Sequence, residues 1–281
     1  MTTTPAPDAY CVMGHPVEHS RSPWIHARFA ELTGERIDYT RRLVPLDGFA
    51  RALADFAAAG GRGCNVTVPF KHDAARLATV ASERVRRAGA ANTLTFLPDG
   101  SVHADNTDGL GLVADIVRNA GVALAGRDVL LVGAGGAAAG VLAPLLEQGP
   151  RRIVVVNRTA ARAQALVQAH ADLAAARQVA LQALPIEEPG TGFDVVVNAT
   201  ASSLAGGEIP VPGAVLREGT LAYDMMYGPA AQGFMDWART RGAVPRDGLG
   251  MLVEQAAEAF AVWRGVRPPA AQVLQELRAQ P

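Results

Sequence analysis

Residues 129–140 read VLLVGAGGAAAG, and a stretch of this kind leaves a chain little choice of fold. A short apolar run has the length and β-branched content of a buried strand. It ends directly in Gly133 and Gly135, with Ala138 in the third small position of the pattern G-x-G-x-x-G/A and a helix-forming segment behind it. The two glycines permit a tight turn and close approach of a ligand, and the third small residue lets the helix pack against the strand. Free N–H groups and the positive end of the helix dipole then gather where a pyrophosphate would sit. The plainer alternative is a glycine-rich helix entry packed on a sheet. Residues 129–146 are also the one long uncharged run of the chain, but Gly133, Gly135, Gly136, Gly140 and Pro144 punctuate it as strand, loop and helix rather than a membrane span.

The rest of the chain alternates in the same way. Short β-branched runs at residues 10–13, 37–44, 63–68, 129–132, 153–156, 194–197 and 221–223 are separated by Ala/Leu/Arg segments with helical spacing, among them residues 24–32, 49–59, 110–119 and 160–169. Strand, helix, strand in succession predicts α/β architecture, with largely parallel sheets covered by helices on both faces. At 281 residues two domains are expected. A helix over residues 108–119 leads into a fresh strand–helix series, which places a boundary near residue 110. Residues 249–263 and 270–278 are helical with no strand after them, so they pack on something already built.

Composition removes several function classes. Lys and Arg total 26 against 27 Asp and Glu, so no basic excess exists to neutralise nucleic acid or an anionic membrane. Cys11 and Cys64 have no second Cys or paired His at metal spacing, which points to a reducing, cytoplasmic setting without a zinc site. His15 and His19 stand in a Gly/Pro-containing segment rather than on one helix face, which argues against a metal pair. The opening MTTTPAPD has neither a basic nor an apolar leader region and reads as a short disordered lead-in.

Cofactor choice is written after the next strand, in IVVVNRTAARA. Where a carboxylate would hold the ribose 2′-hydroxyl of NAD stand Asn157, Arg158 and Thr159. A carboxylate there would repel a 2′-phosphate, whereas Arg158 and Arg162 pair with one, so NADP is favoured. The alternative is that both arginines solvate the start of a surface helix. In the first half, EHSRSPWIHARF sets Ser20 and Ser22 before Pro23 at a helix start. Ser22 as N-cap and Pro23 at the first helical position would explain one serine by capping alone; two serines also suit a small carboxylate. The stretch NVTVPFK, residues 65–71, alternates like a strand, turning Asn65 and Thr67 to one face, until Pro69 removes a donor and leaves Lys71 beyond the strand end. Asn92 in AANTL and Asp108 in DNTDG are ordinary turn and cap residues one at a time.

Together with VGAGGA, NRTAAR, VNAT, YDMMY and DGLGMLVEQA, the segments HSRSP, NVTVPFK, AANTL and DNTDG stand in the order and approximate spacing of the shikimate dehydrogenase family, which the chain resembles from about residue 10 to residue 263. The resemblance implies a discontinuous two-domain α/β fold. Residues 1–110 with 249–281 would form a substrate-binding and catalytic domain with a mostly parallel sheet, and residues 111–248 a Rossmann-type NADP-binding domain. It implies reversible NADPH-dependent reduction of 3-dehydroshikimate to shikimate, in aromatic amino-acid biosynthesis, by a monomer or homodimer.

By the same similarity Lys71 and Asp108 form the catalytic pair. Ser20, Ser22 and Tyr227 hold the substrate carboxylate, and Asn65, Thr67, Asn92 and Gln255 its ring hydroxyls and carbonyl region. Gly133, Ala134, Gly135, Gly136 and Ala137 carry the pyrophosphate, Asn157, Arg158, Thr159 and Arg162 the 2′-phosphate, and Met225 and Gly248 the nicotinamide end. The ammonium of Lys71 suits proton donation to a ketone oxygen that gains charge, while Asp108 either orients it or binds a neighbouring hydroxyl. Ala139 departs from the polar or basic residue of many relatives, and residues 198–207 and 227–234 are less typical. A quinate/shikimate dehydrogenase using NAD or NADP, or a non-catalytic NADPH-binding module, are the rival expectations. Retention of both Lys71 and Asp108 argues against the second.

Overall fold

A computed structural model describes residues 6–200 and 209–280. The lead-in expected over the first residues lies outside these up to residue 5, as do residues 201–207 of the atypical NATASSLAGG stretch. The chain forms two compact units, Met1–Gly111 with Leu252–Pro281, and Leu112–Met251.

The first unit runs β1 (Asp8–Gly14), α1 (Ser22–Thr33), β2 (Ile37–Leu43), α2 (Phe49–Ala58), β3 (Gly61–Val66), α3 (Lys71–Leu77), β4 (Val80–Ala81), α4 (Glu83–Ala88), β5 (Thr93–Phe96), β6 (Val102–Asp105) and α5 (Asp108–Ala114). Its strands make a six-stranded sheet in the order β2-β1-β3-β5-β6-β4. Pairing is parallel from β2 through β1 to β3 and between β4 and β6, and antiparallel through β3, β5 and β6. Strand alternation gives the sheet two apolar faces. Cys11, Met13, Cys64, Val66 and Leu94 meet Phe49, Leu53, Phe56 and Phe70 on one; Tyr10, Val12 and Tyr39 meet Val17 and Trp263 on the other. The edge strand β2 carries Asp38, Arg41 and Arg42 among its exposed positions, which discourages pairing with another chain.

The second unit runs β7 (Asp128–Val132), α6 (Gly136–Glu147), β8 (Arg152–Val156), α7 (Ala160–Ala169), α8 (Ala171–Ala176), β9 (Ala180–Leu184), β10 (Val195–Asn198), β11 (Leu221–Asp224), α9 (Gln232–Arg239) and β12 (Val244–Arg246). All its strands pair in parallel in the order β12-β11-β10-β7-β8-β9, the doubly wound arrangement. The runs DVLLV, RIVVV and VVVN are buried almost throughout, as central parallel strands with both faces covered must be.

Two helices end the chain, α10 (Leu249–Arg264) and α11 (Ala270–Arg278). Within the first unit they pack on elements already formed, as expected from their lack of a following strand. The Trp263 indole donates to Leu94 O at 3.1 Å and stacks on Tyr10, and Arg264 pairs with Asp8 and Glu35. Arg28 of α1 grips Glu276 of α11 through two bonds of 2.7 and 3.0 Å. The helix expected over residues 108–119 is α-helical only to Ala114 and continues as a π turn, Asp115–Asn119. There Asp115, fully buried, takes Arg246 in a bidentate pair at 2.7 and 2.6 Å and the Tyr223 hydroxyl at 2.8 Å.

Candidate active site

In the first unit, three strand positions stand in a row: Asn65 lies opposite Thr93, and Thr93 opposite Asp105. Beyond β3 and β6 the chain turns and delivers a functional group, and Asn92 stands just before β5. After β3 the turn Thr67–Phe70 closes through a 3.0 Å bond from Phe70 N to Thr67 O, and α3 begins at Lys71. After β6, Asn106 Oδ1 accepts the Asp108 N–H and starts α5. An acidic residue in a first helical turn suits the dipole; a lysine does not. Lys71 therefore stands against its local preference, and its partner lies elsewhere: Lys71 Nζ donates to Asp108 Oδ2 at 2.5 Å, with the two side chains 17% and 8% exposed.

Asn92 is the hub behind this pair. Its Oδ1 accepts from the Thr107 N–H at 2.8 Å and the Thr93 hydroxyl at 2.9 Å, so its Nδ2 faces Asp108 Oδ1 at 2.9 Å and Gln255 Oε1 at 3.1 Å. Asn65 uses its amide differently from a ligand-facing residue. Its Nδ2 is consumed by Asn92 O and Thr93 Oγ1, both at 3.1 Å, and its Oδ1 takes the Tyr39 hydroxyl at 2.7 Å, which leaves only acceptor capacity on Oδ1.

Two expectations change here. Strand β3 ends at Val66, so Asn65 and Thr67 do not share a strand face; the Thr67 N–H goes instead to Met13 O at 2.9 Å and its methyl lies over Gly14. The extended run stops early because the Thr67–Phe70 turn needs those residues. At α1, Ser22 is inside the helix and makes no capping bond; Ser20 Oγ accepts the Ser22 N–H at 3.3 Å. Ser22 is buried and Ser20 half-buried, with Ser20 O pinned by Arg41 at 2.6 and 2.9 Å.

The second unit holds the nucleotide pattern. Gly133 follows β7 at φ +116°, a conformation L side chains rarely adopt, and donates to Val156 O at 2.7 Å. A side chain at Gly133 would meet Ala199 O at 3.1 Å, while at Gly135 the space is open. Asn157 Oδ1 accepts the Ala134 N–H at 3.2 Å and its Nδ2 reaches Thr159 O, so Asn157 braces the glycine loop. Arg158 and Arg162 are exposed with no acidic partner among the described residues, and Thr159 precedes α7 as its N-cap. Gly136 and Ala137 open α6, and Ala139 is buried within it. Gly248 packs so tightly on Met225 that a Cβ would lie 2.3 Å from Met225 O. The N-terminal amides of α6, a guanidinium pair and no carboxylate at residues 157–159 fit a 2′-phosphorylated dinucleotide.

Thus Lys71, Asp108, Asn92, Gln255 and Asn65 converge in one unit, which also holds Ser20 and Thr67 in turns and Ser22 at the start of α1, while Tyr227 and every cofactor candidate belong to the other. Tyr39, Thr93 and Thr107 are buried members of the same network that pattern reading passes over, since each looks like ordinary strand or turn filler.

Family models match consecutive parts of the chain: a shikimate dehydrogenase substrate binding domain over residues 12–94, shikimate / quinate 5-dehydrogenase over 115–205, and a shikimate 5′-dehydrogenase C-terminal domain over 248–278. A shikimate dehydrogenase (NADP(+)) of Paracidovorax citrulli is 90% identical over 100% of both chains. Among solved structures, an Ael1 enzyme from Pseudomonas putida is 45% identical with TM-score 0.88, covering 96% of this chain and 98% of that one. Shikimate 5-dehydrogenase from Thermus thermophilus, in complex with NADP(H) and shikimate, is 32% identical with TM-score 0.84 over the same shares. The pattern that converges on Lys71 and Asp108, the doubly wound second unit and this likeness along the full length agree, and the chain belongs to the shikimate dehydrogenase family.

Proposed function

We propose that this chain interconverts 3-dehydroshikimate and shikimate, with Lys71 as the proton-transfer residue and Asp108 as its orienting partner. The chain is an NADP-dependent oxidoreductase of the shikimate pathway. The observation that carries the residue assignment is the 2.5 Å Lys71–Asp108 pair, backed by Asn92 and Gln255 in the same buried network. When bound, NADPH supplies the hydride that adds to the ketone carbon. The carbonyl oxygen then gains an electron pair, and the Lys71 ammonium gives it a proton; in the oxidative direction the amine takes the hydroxyl proton back. Asp108 aims the ammonium through Oδ2 while Asn92 fixes its Oδ1. By the family resemblance Asn65, Thr67, Asn92 and Gln255 would take the ring hydroxyls and carbonyl region, Asn65 through the spare acceptor capacity on its Oδ1. By the same resemblance the carboxylate candidates are Ser20 and Ser22 in the first unit and Tyr227 in the second.

In the second unit, Gly133, Ala134, Gly135, Gly136 and Ala137 would hold the pyrophosphate, Asn157, Arg158, Thr159 and Arg162 the 2′-phosphate, and Met225 and Gly248 the nicotinamide end. Residues 1–110 with 249–281 serve as the substrate and catalytic domain and residues 111–248 as the cofactor domain. Two free buried cysteines, Cys11 and Cys64, support a reducing cytoplasmic setting, and no described helix is long and apolar enough to cross a membrane. The proposed assembly is a monomer or a homodimer. Purified protein offered shikimate or quinate, each with NADP⁺ or NAD⁺, should turn over shikimate with NADP⁺ fastest, followed by nicotinamide absorbance. Lys71→Ala should lower kcat by roughly 10²–10⁴. Absence of shikimate turnover by the wild type, or a KM change with kcat intact in the variant, rejects the assignment.

A further inference from the structure

We propose that Tyr39 and Thr93 are positioning residues for the Lys71–Asp108 pair, acting through Asn65 and Asn92 along one directed chain of buried hydrogen bonds. The inference rests on the proton-transfer role given to Lys71 above. The Tyr39 hydroxyl donates to Asn65 Oδ1 at 2.7 Å, Asn65 Nδ2 to Thr93 Oγ1 at 3.1 Å, the Thr93 hydroxyl to Asn92 Oδ1 at 2.9 Å, and Asn92 Nδ2 to Asp108 Oδ1 at 2.9 Å. Lys71 Nζ closes the sequence on Asp108 Oδ2.

Groups with a single chemical option fix the direction of every bond. The backbone N–H of Thr107 can only donate, and it donates to Asn92 Oδ1, so the Asn92 NH₂ faces Asp108. The backbone carbonyl of Asn92 can only accept, and it takes Asn65 Nδ2 at 3.1 Å, so Asn65 Oδ1 faces Tyr39 and the phenol must donate. With Asn65 donating to it, the Thr93 hydroxyl keeps its own proton for Asn92. All the dipoles therefore point the same way and polarise one another toward the carboxylate.

Tyr39, Asn65, Thr93, Asn92 and Asp108 are all 8% exposed or less, so bulk water has little access to substitute for a lost link. The chain also begins on a rigid support. His26 stacks flat on the Tyr39 ring at 4.1 Å and 7°, is fully buried, and has no hydrogen-bond partner on either ring nitrogen, so it acts as a surface rather than a donor. Burial holds the Tyr39 phenol well above its ordinary pKa, which keeps the donor proton in place.

Thr93→Val removes the central hydroxyl at nearly constant volume, Thr93→Ser keeps it, and Tyr39→Phe removes the first donor. Steady-state shikimate oxidation is compared for all three after circular dichroism shows each to be folded. Thr93→Val should lower kcat roughly tenfold, the scale on which a small misplacement of a catalytic group acts, with KM for NADP⁺ unchanged. Thr93→Ser should recover most of that loss, and Tyr39→Phe should lower kcat several-fold. Wild-type kcat in folded Thr93→Val, a loss confined to KM for shikimate, or failure of Thr93→Ser to recover would each overturn the proposal. Should Thr93→Val not fold, Tyr39→Phe decides alone, and wild-type kcat there overturns it. A wild type that turns over no shikimate rejects the function itself; an active wild type with equally active variants rejects only the positioning chain.

Discussion

Replacing Lys71 by Met and Asp108 by Asn, singly and together, tests whether the two groups act as one unit. At 2.5 Å the gross attraction is about 7 kcal/mol for an effective dielectric of about 20, most of it offset by the cost of desolvating both ions. Either single change strands a charge. Asp108→Asn leaves a largely buried ammonium without a counter-charge and gives the carboxamide only one acceptor for the donors of Lys71 and Asn92. Lys71→Met leaves the carboxylate with Asn92 alone on this side. Each should cost about 3–5 kcal/mol of unfolding free energy. The double variant buries no charge at the site, so its cost should fall short of the sum by at least about 2 kcal/mol. Urea unfolding of all four proteins measures that difference. In the same proteins, kcat should fall roughly 10²–10⁴ in either single variant and no further in the double, as for groups serving one step. Additivity to within about 0.5 kcal/mol in stability would refute the reasoning, because it would mean that neither charge depends on the other.

The second unit and the buried histidine give three further tests. Arg158→Gln should raise KM for NADP⁺ roughly tenfold, the scale of one charge-assisted hydrogen bond, and leave KM for NAD⁺ alone; equal changes for both would remove the residue from the 2′-phosphate. Gly248→Ala places a Cβ 2.3 Å from Met225 O and must displace that backbone, so NADP⁺ binding should weaken; unchanged affinity would separate the Gly248–Met225 contact from the cofactor. Burial lowers the pKa of His26 from 6.5 to about 3. The folded state thus refuses a proton that the unfolded state takes up below about pH 6.5. Stability should be full above that pH and decline from there toward pH 3, by up to about 1.4 kcal/mol per unit. His26→Phe, in a pocket of Tyr39, Phe29, Phe260 and Trp263 rings, should flatten the loss between pH 7 and pH 5; an unchanged slope would place the acid sensitivity elsewhere.

What the amino-acid sequence determined by itself was whatever short-range pattern encodes. DVLLV, RIVVV and VVVN announce buried parallel strands because each is apolar on both faces, and GAGGA after the first of them announces the loop and helix that follow. The absence of a carboxylate at Asn157–Thr159 reads directly as a cofactor preference, since one residue position carries the whole electrostatic decision. The ordered segments that resemble the family extend this to the catalytic candidates. Only the tertiary structure decided how those candidates meet. Alternation predicts Asn65 and Thr67 side by side, yet a turn ends the strand at Val66, and the hydrogen bonds of Asn65 are spent on Tyr39, Thr93 and Asn92. The β5–β6 hairpin hides in AANTLTFLPDGSVHAD, whose Asn, Thr and Asp signal turns as strongly as strands. Lys71, Asn92, Asp108 and Gln255 are joined across separations of up to 163 residues, far beyond the span of any helical or strand period. Local sequence cannot express such a meeting, because the direction of each buried hydrogen bond is set by partners that only the folded sheet brings within reach.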